Sequence, residues 1–206
     1  MLLLLPLILS GQTENASEQF SALGGYYKNA ILLRWAPKET WTFEMALKDG
    51  YRIERAEFSD LDYSKAQFKL LQIVLPFPKR GLENRVDTTD INQLIAAEIA
   101  HGKKGDSLRR TPIKNPTNPD EIVERNAHLQ NRRFYGLVAA DYSFRAAEIL
   151  GLGYRDSTVE IGKMYLYRIS IIKAPKGILP DTVYLSVASQ ENSDLIYLKL
   201  KGDNLE

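Results

Sequence analysis

Strand-like, period-two patterning near both ends of the chain, a block of 3.6-residue patterning between about 80 and 151, and proline and glycine signals at the joins together predict an α+β fold. The 206 residues are 44% apolar and 10% aromatic, enough for a substantial core in one large domain or two small ones. Lys and Arg number 27 against 26 Asp and Glu, so a net charge of +1 gives no general attraction to nucleic acid or to an anionic membrane. The absence of cysteine removes disulfides, thiolate zinc sites and cysteine nucleophiles together.

The first segment is an apolar run from Leu2 to Leu9 followed by Ser10, Gly11 and Gln12, which has the form of the apolar core and cleavage region of a secretory signal. No Lys or Arg precedes the run, so the usual positive start is missing and an initiator upstream is expected. Spanning a bilayer takes roughly 20 apolar residues, so no stable membrane span is expected from this one. The alternative is a buried N-terminal strand. With no cysteine at the cleavage region a lipid anchor is excluded, and residues 1–12 are assigned to the signal, with the mature chain starting at Gln12 or Thr13. Residues 13–206 then form the domain, secreted, periplasmic or on the cell surface.

Tyr26 to Trp35 is dense in apolar and aromatic residues and reads as a strand, closed by Pro37, which cannot donate to a ladder. Trp41 and Phe43 fall in the following loop, and Asp49-Gly50 is a turn signal. In Tyr51-Arg-Ile53-Glu the alternation puts Tyr51 and Ile53 on one face of a strand and Arg52 and Glu54 on the other. Phe68 to Leu75 is a further extended run, stopped by Pro76 and Pro78. The period then changes. Asp90 and Gln93 make a capping pair for a helix whose stripe is Ile91, Leu94, Ile95 and Ile99, ending before Gly102. His101 to Thr117 is polar, basic and interrupted by Pro112 and Pro116, and reads as a loop. Asn118-Pro119-Asp120-Glu121 is a helix start with cap, N1 proline and capping-box acid, and Val123, Ala127, Phe134, Leu137 and Val138 carry the stripe for about five turns. A shorter helix, Ser143 to Leu150, stops at Gly151. Alternation returns at Thr158 to Ile161 and in Met164 to Ile172, where Tyr165, Tyr167 and Ile169 share a face. Thr182 to Ala188 and Leu195 to Leu200 complete the strand candidates, the latter a candidate edge for pairing with neighbouring subunits.

Trp35, then Tyr51-Arg-Ile53, then Val159-Glu-Ile161-Gly162-Lys163-Met164-Tyr165-Leu-Tyr167-Arg168 form an ordered set that resembles the fibronectin type III family. The resemblance implies a β-sandwich in which Trp35 fills the space between two sheets, Tyr51 and Ile53 lie on a core-facing strand, and Gly162 turns the chain into a corner tyrosine, Tyr165. Trp35 and Tyr165 alone lie further apart than one whole domain of that family, about 100 residues. The excess implies a helical insertion of two to three helices at about 80–151. The chain is also similar to fibronectin-like domains in large exported proteins of Bacteroidota-type bacteria, which implies that further domains of a longer chain are among its partners.

Little in the sequence marks a reaction. His101 and His128 are the two imidazoles, 27 positions apart, and read as exposed or capping residues without a metal role. Asp87-Thr-Thr-Asp90 lacks the glycine and terminal glutamate of a calcium loop and reads as helix capping. Gly151-Leu-Gly153 is a helix stop and falls short of a pyrophosphate-binding pattern, and no serine elbow is present. No catalytic residue, metal or cofactor is therefore assigned. Lys103, Lys104, Arg109, Arg110 and Lys114, extended by Arg132 and Arg133, form a basic patch, and Trp41 and Phe43 offer rings for stacking. These are the candidate binding residues, for protein or glycan at the cell surface. Nucleic acid is disfavoured because few aromatics interleave with the charges. The expected function is an exported non-enzymatic binding or spacer module; the alternative is an accessory domain of an exported carbohydrate-active or proteolytic enzyme.

Overall fold

The structure, a computed structural model, describes residues 19–57, 66–102, 116–174, 176–177 and 181–190. The expected signal segment, the basic stretch Lys103 to Lys114 and the expected strand Leu195 to Leu200 lie outside the described residues. In chain order the elements are β1 (Phe20–Tyr27), β2 (Ala30–Pro37), α1 (Thr40–Asp49), β3 (Tyr51–Glu57), β4 (Lys69–Val74), α2 (Ile91–His101), α3 (Pro119–Tyr142), α4 (Phe144–Ile149), β5 (Gly153–Asp156), β6 (Met164–Ile171) and β7 (Thr182–Ala188). The fold is mixed α+β. One antiparallel sheet has the order β1-β2-β5 and the other β4-β3-β6-β7.

The strand expected at Tyr26 to Trp35 is the end of one strand and most of a second. Lys28 and Asn29, at φ 44° and 61°, make a two-residue turn that folds β1 onto β2, with Tyr27 opposite Ala30. Gly24 lies inside β1 because β7 crosses over it. A Cβ there would stand 2.7 Å from a methyl of Leu185 and 2.9 Å from methyls of Leu33 and Val187.

The two sheets share one core. Trp35 on β2 meets Tyr51 on β3 edge-on at 5.3 Å, and Phe20 on β1 meets the same tyrosine at 5.4 Å. Ile53, Tyr165, Tyr167 and Ile169 are buried from the second sheet, as alternation along β3 and β6 predicted. The Tyr165 hydroxyl accepts from the Glu160 amide at 2.8 Å, and Gly162 turns just before it at φ 84°. Ser189, fully buried after β7, ties that turn down by donating to the carbonyls of Glu160 and Lys163. Thr158 to Ile161 is thus a stapled loop, and the strand on that side is the shorter β5, which pairs with β2.

The segment around Trp41 and Phe43, expected as a loop, is the helix α1. Thr40 to Asp49 holds no Gly or Pro, and Glu44 to Lys48 are all favourable in a helix. Its start is silent in the sequence because Glu39 makes no side-chain capping bond. The expected starts of α2 and α3 are present. Asp90 accepts from the amides of Asn92 and Gln93, and Asn118 accepts from Glu121, whose own carboxylate takes the Thr117 amide at 2.6 Å. Ser143 serves twice, ending α3 and capping α4 through its hydroxyl. All three helices fall within the expected 80–151 block.

The expected stripes meet the core only in part: Ile99 is buried and Ile95 and Leu137 pack against it. On α2 the buried residues are Gln93, Ala96 and Ile99, while Ile91 and Leu94 are exposed. On α3 they are Gly136, Ala139 and Ala140, while Val123 and Phe134 are exposed. No helix among the described residues is long and apolar enough to cross a membrane.

The helical block leaves and rejoins the sheets at one point. The Phe77 amide donates to Ile149 O at 3.0 Å, and Gly151, at φ 68°, sits so close that a Cβ would stand 2.7 Å from Pro76 N. Gly151→Ala therefore meets backbone in a left-handed conformation and is expected to cost about 1–3 kcal/mol, read as a lower urea midpoint at unchanged m-value.

Candidate binding surface

The side chains singled out in the sequence divide into held and unheld. Phe43 is fully buried with its ring edge against Gly136, where a Cβ would stand 2.7 Å from its Cζ, so it fastens α3 to α1 and presents no ring to a ligand. Trp41 is half-buried on the same helix. Arg132 donates to Glu44 at 3.0 Å and to Ile99 O at 3.1 Å, and Arg133 donates to Pro37 O at 3.1 Å. Both arginines hold α3 to its neighbours. Of the expected basic patch they alone are described, since Lys103, Lys104, Arg109, Arg110 and Lys114 lie outside the described residues. His101 ends α2 half-buried, with its ring on the Phe77 carbonyl, so it ties the helix to the segment after β4 and does not cap it.

Interior charge is committed to joining elements. Arg34 on β2 keeps only 5% of its side chain exposed. It donates to Ala140 O at 3.0 Å, Leu137 O at 3.3 Å, Trp35 O at 2.7 Å and the Asp141 carboxylate at 2.6 Å. Burial lowers its pKa, and Asp141 opposes that shift. Its charge lies at the negative C-terminal end of α3, where the last carbonyls of a helix run out of donors within it.

The second interior charge is Asp156 on β5, whose side chain is wholly buried. It accepts from Arg55 Nη1 at 2.7 Å and from the Tyr167 hydroxyl at 2.8 Å, both on the other sheet, and from the Thr158 amide and hydroxyl at 3.0 and 2.7 Å. Burial pushes its pKa up, but Thr158, Tyr167 and the Arg55 charge together hold it below the usual carboxylate range. Burial, and then the same carboxylate, push the pKa of the Tyr167 hydroxyl up. Arg55 lies over the Tyr165 ring at 4.7 Å, so the cluster and the Tyr165 turn form one unit.

Two surfaces carry exposed apolar side chains that the core does not use. The first is the outward side of α3. Gly136, Ala139 and Ala140 face the body; residues two positions apart on a helix point about 200° apart, so Phe134 and Val138 are turned away from it. Val123 lies about three turns earlier on the outward side, 67% exposed, and Phe134 is 58% exposed. Between Pro119 and Asn131 no residue of α3 is buried. The second is the outer face of the four-stranded sheet. There Arg168 lies over the Phe68 ring at 4.3 Å and holds Glu54 through two bonds of 2.7 and 2.8 Å. Tyr184 meets Phe68 edge-on at 6.0 Å, and Leu70 and Ile73 flank the group from β4. The hydrogen bond from Arg168 is the largest cause holding the Glu54 pKa low.

No family model, no curated protein and no solved structure matches this chain.

The stripe read along α3 was Val123, Ala127, Phe134, Leu137 and Val138; Leu137 packs on the core, while Val123, Ala127 and Phe134 lie outward. The signal that would have reversed it is the set of small residues Gly136, Ala139 and Ala140 on the other side, which lets a helix approach its support closely.

Asp156→Asn is expected to cost about 3 kcal/mol at neutral pH, the low end for breaking a buried pair, because Arg55 keeps 20% of its side chain in water. A carboxylate with a lowered folded pKa contributes its stability above its unfolded value, about 3.9, and loses it as the pH falls through the folded value. The gap between wild type and Asp156→Asn should therefore be full at neutral pH and close on acidification below about pH 4, measured by urea unfolding at a series of pH values.

Proposed function

We propose that this chain is an exported, non-enzymatic contact module: a fibronectin type III-like β-sandwich that presents α3 to a protein partner. The observation that carries the reading is the outward apolar stripe of α3, with Val123 and Phe134 in water while Gly136, Ala139 and Ala140 serve the core. An apolar helix face rimmed by polar residues is a form of surface that partners bury.

The strand order supports the scaffold. Constant-type immunoglobulin sandwiches place strands one, two, five and four in one sheet and three, six and seven in the other. Here the orders are β1-β2-β5 and β4-β3-β6-β7, the same arrangement with the fourth strand moved beside the third. Trp35 between the sheets and the Tyr165 corner support it further. The buried charges Arg34 and Asp156 bind this frame together and are engaged by neighbouring groups of the chain. Export is supported by the apolar run Leu2 to Leu9 and by the absence of cysteine.

A photo-activatable side chain placed at Val123 or at Phe134 is expected to give a discrete covalent adduct in the producing cell, whereas the same group at exposed Lys48 of α1 gives none. Equal labelling at all three positions, or none at any, overturns the contact role of α3. Export has its own measurement: N-terminal sequencing of the cell-envelope or secreted fraction should find a mature start near Gln12 or Thr13. A chain retained in the cytoplasm with Leu2 to Leu9 still attached overturns it.

A further inference from the structure

The edge of the four-stranded sheet offers a surface independent of α3. β4 ends the order β4-β3-β6-β7, and among the described residues its one strand partner is β3. Among the described residues nothing pairs with its other side, whose row of backbone donors and acceptors fits an extended strand. Edge strands that stay unpaired are protected by charge, proline or distortion. β4 has Lys69 at its start and a register shift opposite Ile53 and Glu54, but from Leu70 to Leu75 it carries no charge and no proline. Leu70 is 55% exposed and Ile73 45%. Both lie opposite outward residues of β3, Leu70 beside Glu54 and Ile73 beside Arg52, so they share the outer face.

We propose that β4 pairs antiparallel with β4 of a second copy, joining two four-stranded sheets into one eight-stranded sheet across a two-fold axis. The sequence of the edge selects this occupant because it is self-complementary. A two-fold axis between Leu71 and Gln72 sets Leu70 against Ile73 of the other copy, twice, on the same outer face, and apolar pairs directly across neighbouring strands are a stabilising unit of a sheet. The same register places the two Lys69 residues at opposite ends of the joint, each across from Val74. A net charge of +1 sets up no long-range repulsion between copies. Hydrogen bonds of the ladder supply the directional part of the contact, and Leu70 and Ile73 the apolar part.

The test uses the full chain and two double variants at the same exposed positions, followed by light scattering over a wide concentration series, with circular dichroism as the check on folding. Wild type is expected to pass from monomer to dimer. Leu70→Lys with Ile73→Lys sets like charges opposite each other in both pairs and is expected to raise the dimer Kd about tenfold or more. Leu70→Lys with Ile73→Glu sets Lys against Glu in both pairs and is expected to restore dimerisation. Rescue depends on the register, which a merely stickier or less sticky surface would not reproduce. A wild type that stays monomeric throughout overturns the proposal and leaves the edge to an extended segment of another protein. A dimer indifferent to the double lysine, or a charge-swapped variant as weak as the double lysine, overturns it as well.

Discussion

The guanidinium of Arg34 is the point at which the helices and the sheets become one structure. It is a charged group on a central strand, almost without water, and it is tolerable there because its hydrogen bonds end on the last turns of α3. A helix end left inside a protein has carbonyls without partners, and a strand cannot bury a free cation. Each deficit here satisfies the other. The position of α3 follows, because the fork of donors fixes where Leu137, Ala140 and Asp141 must lie relative to β2. Phe43 against Gly136, and Arg132 and Arg133 on α1, α2 and β2, then fix its rotation.

That rotation sets the character of the molecular surface. A helix that lies close to its support needs small residues on the near side, so α3 meets the body with Gly136, Ala139 and Ala140 and keeps its large apolar residues on the far side. The sheets divide in a similar way. Their inner faces are aromatic and closely fitted around Tyr51, and the cross-sheet cluster at Asp156 seals one end of that core with a fully bonded carboxylate. The outer face of the second sheet is left with a ladder of Phe68, Arg168, Glu54 and Tyr184 and with the apolar residues of β4.

The sequence made the strands β3, β6 and β7 legible, because each alternates in a way only a half-buried sheet requires, and it made α2, α3 and α4 legible through their caps. It hid α1, whose first residue has no capping side chain, and the turn at Lys28 and Asn29, which lacks the glycine that normally marks such hairpins. Helix existence was readable and helix orientation was not. Periodicity reports that a stripe exists, and the stripe of α3 is equally periodic whether it faces a core or water. Candidate contact residues chosen by type alone suffered the same loss. Phe43, Arg132 and Arg133 have the chemistry of an interface, but they are engaged internally by residues far away in the chain, at Gly136, Glu44 and Pro37.

The adjacent entry and exit of the helical block have a further consequence. Pro76 and Phe77 lie against Ile149 and Gly151, so the chain departs from the sheets and comes back within a single hydrogen bond of where it left. Strand register is therefore indifferent to the length of what is carried between those points. Such a scaffold can exchange its cargo: the excursion can be enlarged or trimmed to a tight loop while the seven described strands keep their partners. What resists exchange is the small set of foreign anchors, Arg34 and Phe43 first among them, which have to change together with the block they hold.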